Sequence, residues 1–558
     1  MPKIKLPRRL FATHLCRATI DSLRLFAATH ECVAILHRLR RYISTHRSVS
    51  ASTRRRSFIR RVSFIRSVSA SQRLRVPAFV ALCLPLVVAP LLSGCGPRRT
   101  PNLERIFAEA RSRTGKRPLI VIPGVLGSQL INYETGEIVW PSAFRSSDDG
   151  LSLPISPDLS SNRDNLVARK IVDTLRLSRL VPEVYIYHDL LEALKRYGGY
   201  KEGDWNNPGP DGDHDTFYVL PYDWRRDNVE TARDFIRRLE SLKLKLKRPD
   251  LRFNVVAHSM GGLVARYAAR YGDADLPPEG SPLAPTWAGA AHINKIIMFG
   301  TPNEGSADAF QTLLEGYSVT EGLRRRIRLL NKLSREDALS APSLFQLLPH
   351  QSAARFLDEN LQPLAVDLYD PAVWRKYGWS AANDADFRQR YVSGKVFGDY
   401  APFRGGSLEE LDAYFATALR RARRFHEALD ALEGMDSPVP LFAFGGDCEE
   451  TLNAPIILRD EKRGRWITMT APRSFHNSTG RRVSAREATA AMFAPGDGRV
   501  TRRSVLAEDL AGQRRSDLFN TALPIIYAVF ACDRHGDLQN NKTLQDNALT
   551  ALVSEAIK

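Results

Sequence analysis

Beyond residue 95, short apolar runs rich in Val and Ile alternate with stretches whose apolar residues recur at helical spacing. That alternation predicts a parallel sheet covered by helices on both faces, an α/β architecture. Six runs are predicted as strands: Pro118–Val125, Thr216–Leu220, Arg252–Ala257, Ile293–Gly300, Val439–Gly445 and Leu523–Cys532. Each is closed by Gly, Pro, Asp or a small residue that breaks the run. In such sheets chemistry gathers at the carboxyl ends of the strands. Between Ser306 and Gly434 the pattern changes to long charged helices, including Leu411–Leu432, which predicts an inserted helical cap over about 306–434. A second insertion, about 141–197, mixes Ser, Asp and Pro with a Leu-rich end and is predicted to form a lid. Neither insertion is built of solenoid-type repeats.

The first 95 residues read differently. Residues 1–75 hold 18 Lys/Arg against Asp21 and Glu31, so nearly all of the formal charge of +18 sits there. They also repeat themselves, as RSVSAS at Arg47–Ser52 and Arg66–Ser71 and as SFIR at Ser57–Arg60 and Ser63–Arg66, a low-complexity pattern not expected to pack a core. An uncharged run from Val76 to Leu92 follows, broken by Pro77, Pro85 and Pro90. Its length and its prolines fit an export signal better than a membrane-spanning helix. It ends in Leu92-Ser93-Gly94-Cys95, which resembles the bacterial lipoprotein cleavage box, so Cys95 is expected to carry lipid and tether a catalytic region, 96–558, to a membrane surface. The expected location is the bacterial cell envelope. A signal this far from Met1 leads to the further expectation that translation begins near Leu74 or Val76.

With the leader set aside, the remaining chain is close to neutral, and no nucleic-acid-binding surface is expected on it. Its 43% hydrophobic and 25% charged residues are those of an ordinary globular enzyme. Of six cysteines, Cys16, Cys32 and Cys83 leave with the leader, and Cys95 is assigned to lipid. Cys448 and Cys532 remain. Both follow strand-like runs, and an oxidising compartment would let them pair across neighbouring strand ends.

The candidate chemistry begins at Ala257-His-Ser-Met-Gly-Gly262, which joins the strand Arg252–Ala257 to the helix-like Leu263–Ala269. Small residues on both sides of a serine at a strand-to-helix turn mark the nucleophile elbow of an α/β-hydrolase. Ser259 is the candidate nucleophile, and His258 is read as its turn neighbour. A free hydroxyl needs a base to take its proton and an acid to orient that base, in the chain order Ser, acid, His. His535, after the last strand, fits the base better than His476, which lies in a polar stretch with no strand before it. Two carboxylates compete as the acid: Asp497 in a glycine-framed turn, and Asp447 closing the Val439–Gly445 strand. The loop Pro123-Gly-Val-Leu-Gly-Ser128 follows the first strand, and the backbone N–H groups of Val125 and Met260 are the candidate oxyanion donors.

Taken together, Ile122–Leu130 (IPGVLGSQL), Pro221–Arg225 (PYDWR), the Ala257–Gly262 elbow, Gly496–Val500 (GDGRV) and His535 resemble the lecithin:cholesterol acyltransferase family over Leu119–Asn547. The PYDWR block is the most specific of these, although its chemical role is not evident from sequence. The resemblance implies an acyl-enzyme on Ser259, formed from a glycerophospholipid and passed to an alcohol or to water. It assigns the orienting acid to Asp497, and it implies no metal and no cofactor. The long cap, the Met-Gly-Gly after the serine and the bacterial-type anchor depart from the animal enzymes and leave the acceptor open. Two other readings share the sequence features: a neutral-lipid lipase or carboxylesterase, and a non-catalytic envelope lipoprotein.

Overall fold

The computed structural model describes residues 100–142, 150–175, 184–318, 332–350, 353–394, 405–431, 437–508, 521 and 523–554. The basic leader, the expected export signal and Cys95 lie outside them. Seven strands make the central sheet: β1 (Leu119–Ile122), β2 (Lys201–Glu202), β3 (Thr216–Val219), β4 (Phe253–His258), β5 (Ile293–Phe299), β6 (Leu441–Gly446) and β7 (Ile525–Ala531). Their order across the sheet is β7-β6-β5-β4-β1-β3-β2, and every neighbouring pair is parallel. All six predicted strands are present. The seventh, β2, is two exposed charged residues at the edge, too short and too polar to leave an apolar signature.

Alternation along the strands sends side chains to two separate cores, as a sheet buried on both faces requires. From β1, Ile120 and Ile122 join one core while Leu119 and Val121 join the other. The first core is closed by helices α2 (Asn228–Lys245), α3 (Met260–Tyr271) and α5 (Leu408–Asp430), and the second by α1 (His188–Arg196) and α6 (Lys542–Val553). α4 (Ala307–Glu315) adds Phe310 and Leu313 to the first core. Parallel strands covered by helices in this order form an α/β-hydrolase fold.

Within 306–434, α4 and α5 are joined by shorter helices, and apart from Ala307 their buried apolar residues belong to the first core rather than forming a core of their own. α5 starts on a capping box in which Ser407 and Glu410 bond reciprocally to each other's backbone N–H. Within 141–197, Leu166–Ile171 pairs with Ser128–Asn132, which pairs with Ile138–Trp140, so a small antiparallel sheet grows directly out of the β1 loop.

The chain leaves β1 for β3 on one side, then returns to place β4 on the other. In α/β folds such a reversal is where a crevice for ligands lies, outside the carboxyl ends of the flanking strands, here β1 and β4.

Candidate active site

Ser259 stands at that crevice, between an entirely buried β4 and an entirely buried α3. Its backbone is left-handed, φ 52° and ψ −126°, a strained conformation that turns the hydroxyl out of the strand. Close backbone approach explains the glycines around it. A methyl at Gly261 would lie 2.5 Å from the Pro123 carbonyl oxygen, and one at Gly124 would lie 2.8 Å from Ser259 Cβ. One at Gly262 would overlap the Thr301 side chain. The Ser259 N–H donates to the Phe299 carbonyl at 2.7 Å, tying the elbow to β5.

His535 opens the turn after β7, and its Nε2 lies 2.9 Å from Ser259 Oγ. Its Nδ1 lies 2.8 Å from Asp497 Oδ2. The His535 N–H also donates to the Asp497 carbonyl at 2.9 Å, so main chain and side chain hold the same pair. Asp497 is 1% exposed, and its Oδ1 accepts the N–H groups of Arg499 at 3.0 Å and Val500 at 2.7 Å. With the carboxylate accepting from Nδ1–H, the Nε2 lone pair is left facing the serine hydroxyl.

Asp447, the competing acid, lies half-buried at the end of β6, and it is Asp497 that bonds to His535. His476 is exposed on a two-stranded ribbon with Arg482–Val483. Cys448 and Cys532 are disulfide-bonded, with Cα atoms 5.1 Å apart, at the ends of the adjacent strands β6 and β7. Val125 follows β1 and Met260 begins α3, and among the described residues neither N–H donates to a protein acceptor. No group of three or more metal-ligating side chains gathers among the described residues.

Gly446 was not singled out by sequence. A methyl there would lie 2.8 Å from Asp497 Cβ and 2.6 Å from the Asp533 carbonyl oxygen. Gly446→Ala is therefore expected to push the acid away from His535 and lower kcat by about 10²-fold, with KM held, since misplacement of about 1 Å costs that much. Steady-state hydrolysis of a soluble ester measures it, and an unchanged kcat would contradict the packing.

His258 is more than a turn neighbour. It is buried, its Nδ1 lies 2.8 Å from Tyr187 Oη, and its Nε2 lies 3.0 Å from the His535 carbonyl oxygen. Burial, and then the nearby His535, pull its pKa down to about 3. The unfolded chain therefore binds a proton that the folded chain refuses between about pH 6.5 and about pH 3, so stability rises with pH through that window and is complete above it. Acidification from about pH 7 to about pH 5 is expected to remove about 2 kcal/mol through this residue alone. Urea midpoints at the two pH values, compared with those of His258→Gln, test this, and equal losses in both proteins would refute it.

The PYDWR block is resolved as a junction. Arg225 is fully buried and bonds bidentately to Asp164 and to Asp223. Trp224 meets Trp140 edge-on at 5.8 Å, and the Tyr222 N–H donates to Ser128 Oγ at 3.1 Å. The end of β3 is thereby joined to the β1 loop and to the small antiparallel sheet.

Fold and site together define an α/β-hydrolase with a Ser-His-Asp arrangement at the carboxyl end of its sheet. Residues 168–384 match the profile of the family described as Lecithin:cholesterol acyltransferase, the family that the sequence motifs resemble. Among solved structures, a chain of the Tle4-Tli4 complex is similar at 15% identity and TM-score 0.49, covering 78% of this chain and 98% of that one. The lipase BlEst2 of Bacillus licheniformis in its mature form is similar at 11% identity and TM-score 0.29, covering 79% and 93%. EstA of Clostridium botulinum is similar at 12% identity and TM-score 0.30, covering 83% and 92%. No curated protein matches the chain in sequence.

Proposed function

We propose that this chain is a serine-dependent lipid acyl hydrolase and O-acyltransferase acting on glycerophospholipid esters through an acyl-enzyme on Ser259. The observation that carries the reading is the hydrogen-bonded line from Ser259 Oγ through His535 to Asp497. His535 Nε2 takes the Ser259 proton as Oγ attacks the acyl carbonyl, and the resulting oxyanion is received by the N–H groups of Val125 and Met260. Collapse breaks the bond to the glycerol oxygen, which leaves with the proton from His535. Water or an alcohol then gives its proton to His535, attacks the acyl-enzyme, and departs as fatty acid or new ester while Ser259 regains its proton.

The reading extends to location. Leu92-Ser93-Gly94-Cys95 supports export and lipidation at Cys95, which would hold the crevice at a membrane surface where its substrates lie.

Incubation with vesicles of mixed phospholipids and neutral glycerides and a primary alcohol, followed by lipid analysis, tests the activity. The expected products are lysophospholipid with free fatty acid, and acyl ester of the added alcohol, all absent with Ser259→Ala. Cleavage of neutral glycerides with phospholipids left intact would move the assignment to a neutral-lipid lipase. Identical lipid profiles for the wild type and Ser259→Ala would remove the enzymatic reading altogether.

A further inference from the structure

Gly124 must be glycine because Ser259 Cβ leaves no room for a side chain, yet glycine offers almost no steric resistance to rotation of its own peptide groups. The orientation of the loop that presents Val125 must therefore be fixed by something else. The peptide group joining Pro123 to Gly124 is gripped at both ends. Tyr222 Oη donates to its carbonyl oxygen at 2.9 Å, and its N–H donates to Tyr187 Oη at 2.9 Å. Both tyrosine rings are buried.

Donor arithmetic extends the chain of bonds in one direction. The Tyr187 oxygen accepts from Gly124, and its single proton goes to His258 Nδ1 at 2.8 Å. Neutral His258 then carries its proton on Nε2, where a carbonyl oxygen, that of His535, lies at 3.0 Å and can only accept. One continuous line of hydrogen bonds thus runs from the Pro123–Gly124 peptide to the main chain of the base.

We propose that Tyr187 and Tyr222 are positioning residues that clamp the Pro123–Gly124 peptide, and that Tyr187, through His258, holds the oxyanion loop in register with His535. The inference rests on the reading of Ser259 as nucleophile and of the Val125 N–H as an oxyanion donor. Its consequence is that the donor and the base do not move independently: displacing either end of the line displaces the other.

The test uses the full chain with p-nitrophenyl butyrate, with reactive serines counted by fluorophosphonate titration so that kcat is expressed per competent site. Tyr187→Phe keeps the ring and removes only the hydroxyl; it is expected to lower kcat per site by about 10²-fold while KM stays within about twofold. Tyr222→Phe is expected to act in the same direction. His258→Gln retains a donor for the His535 carbonyl but loses Tyr187, and Tyr187→Phe combined with His258→Gln is expected to cost no more than the worse single change. A purely structural role predicts fewer titratable serines with kcat per site unchanged, and that result overturns the clamp. Losses that multiply in the double variant overturn the link through His258. A wild type whose hydrolysis is the same as that of Ser259→Ala overturns the nucleophile reading itself, and the clamp with it, which separates the two failures.

Discussion

Ser259→Ala is expected to lower kcat for ester hydrolysis by about 10⁶-fold, the scale on which loss of a triad nucleophile acts, while leaving the melting temperature near that of the wild type. The reason is geometric. Oγ is the atom 2.9 Å from His535 Nε2, and in the proposed reaction it makes the acyl bond; without it the imidazole has no proton to take. Little fold stability is at stake, because the residue's structural bonds are made by its backbone, to Phe299, Gly262 and Thr301. Asp497→Asn should follow at about 10⁴-fold, since an amide can offer Nδ1 a donor and turn the imidazole to the wrong tautomer. Stopped assays with each purified variant measure both losses. A Ser259→Ala protein retaining a tenth of wild-type turnover would exclude this serine as the nucleophile.

The largest expected loss of stability lies away from the reacting atoms. Arg225→Met should lower unfolding free energy by about 3–5 kcal/mol, a large share of the 5–15 kcal/mol typical of a folded domain. Arg225 is fully buried. Burial opposes its charge, yet Asp223 and Asp164 more than compensate and hold its pKa above the ordinary arginine value. Removing the guanidinium leaves two largely buried carboxylate side chains with no cation between them. Lysine cannot replace it, because one ammonium does not present paired donors to two carboxylates at once. Arg225→Lys should therefore fall between the wild type and Arg225→Met in a urea titration. An Arg225→Met midpoint equal to that of the wild type would show that the junction does not bear on stability. Because the same block positions Tyr222, activity in Arg225→Met is expected to fail at a lower temperature than global unfolding.

These expectations differ in how far they could be drawn from sequence. Ser259 and His535 are marked by local signals: an apolar strand, small residues and a helix around the first, and the last strand before the second. The choice between Asp447 and Asp497 had no such local signal, and only the family resemblance favoured Asp497. In the structure Asp447 closes β6 and Asp497 comes from a turn beyond a β-rich insertion, but only the latter is delivered beneath the imidazole. That insertion, with strands Glu449–Leu452, Ile456–Asp460, Arg465–Met469 and Phe493–Gly496, was not foreseen, because its strands are short and mixed in polarity.

The order of apolar runs along the chain by itself determined the layered sheet, six of its seven strands and the elbow at Ser259. Burial on two faces imposes a pattern that any such strand must carry in its own residues. Tertiary structure alone decided which carboxylate meets His535, what PYDWR contacts, and that Tyr187 and His258 connect the Pro123–Gly124 peptide to the main chain of His535. Those contacts join residues up to 277 positions apart through one or two hydrogen bonds each. A hydrogen bond between two such distant side chains leaves no periodicity in either segment, so it becomes visible only when the strands have been laid side by side.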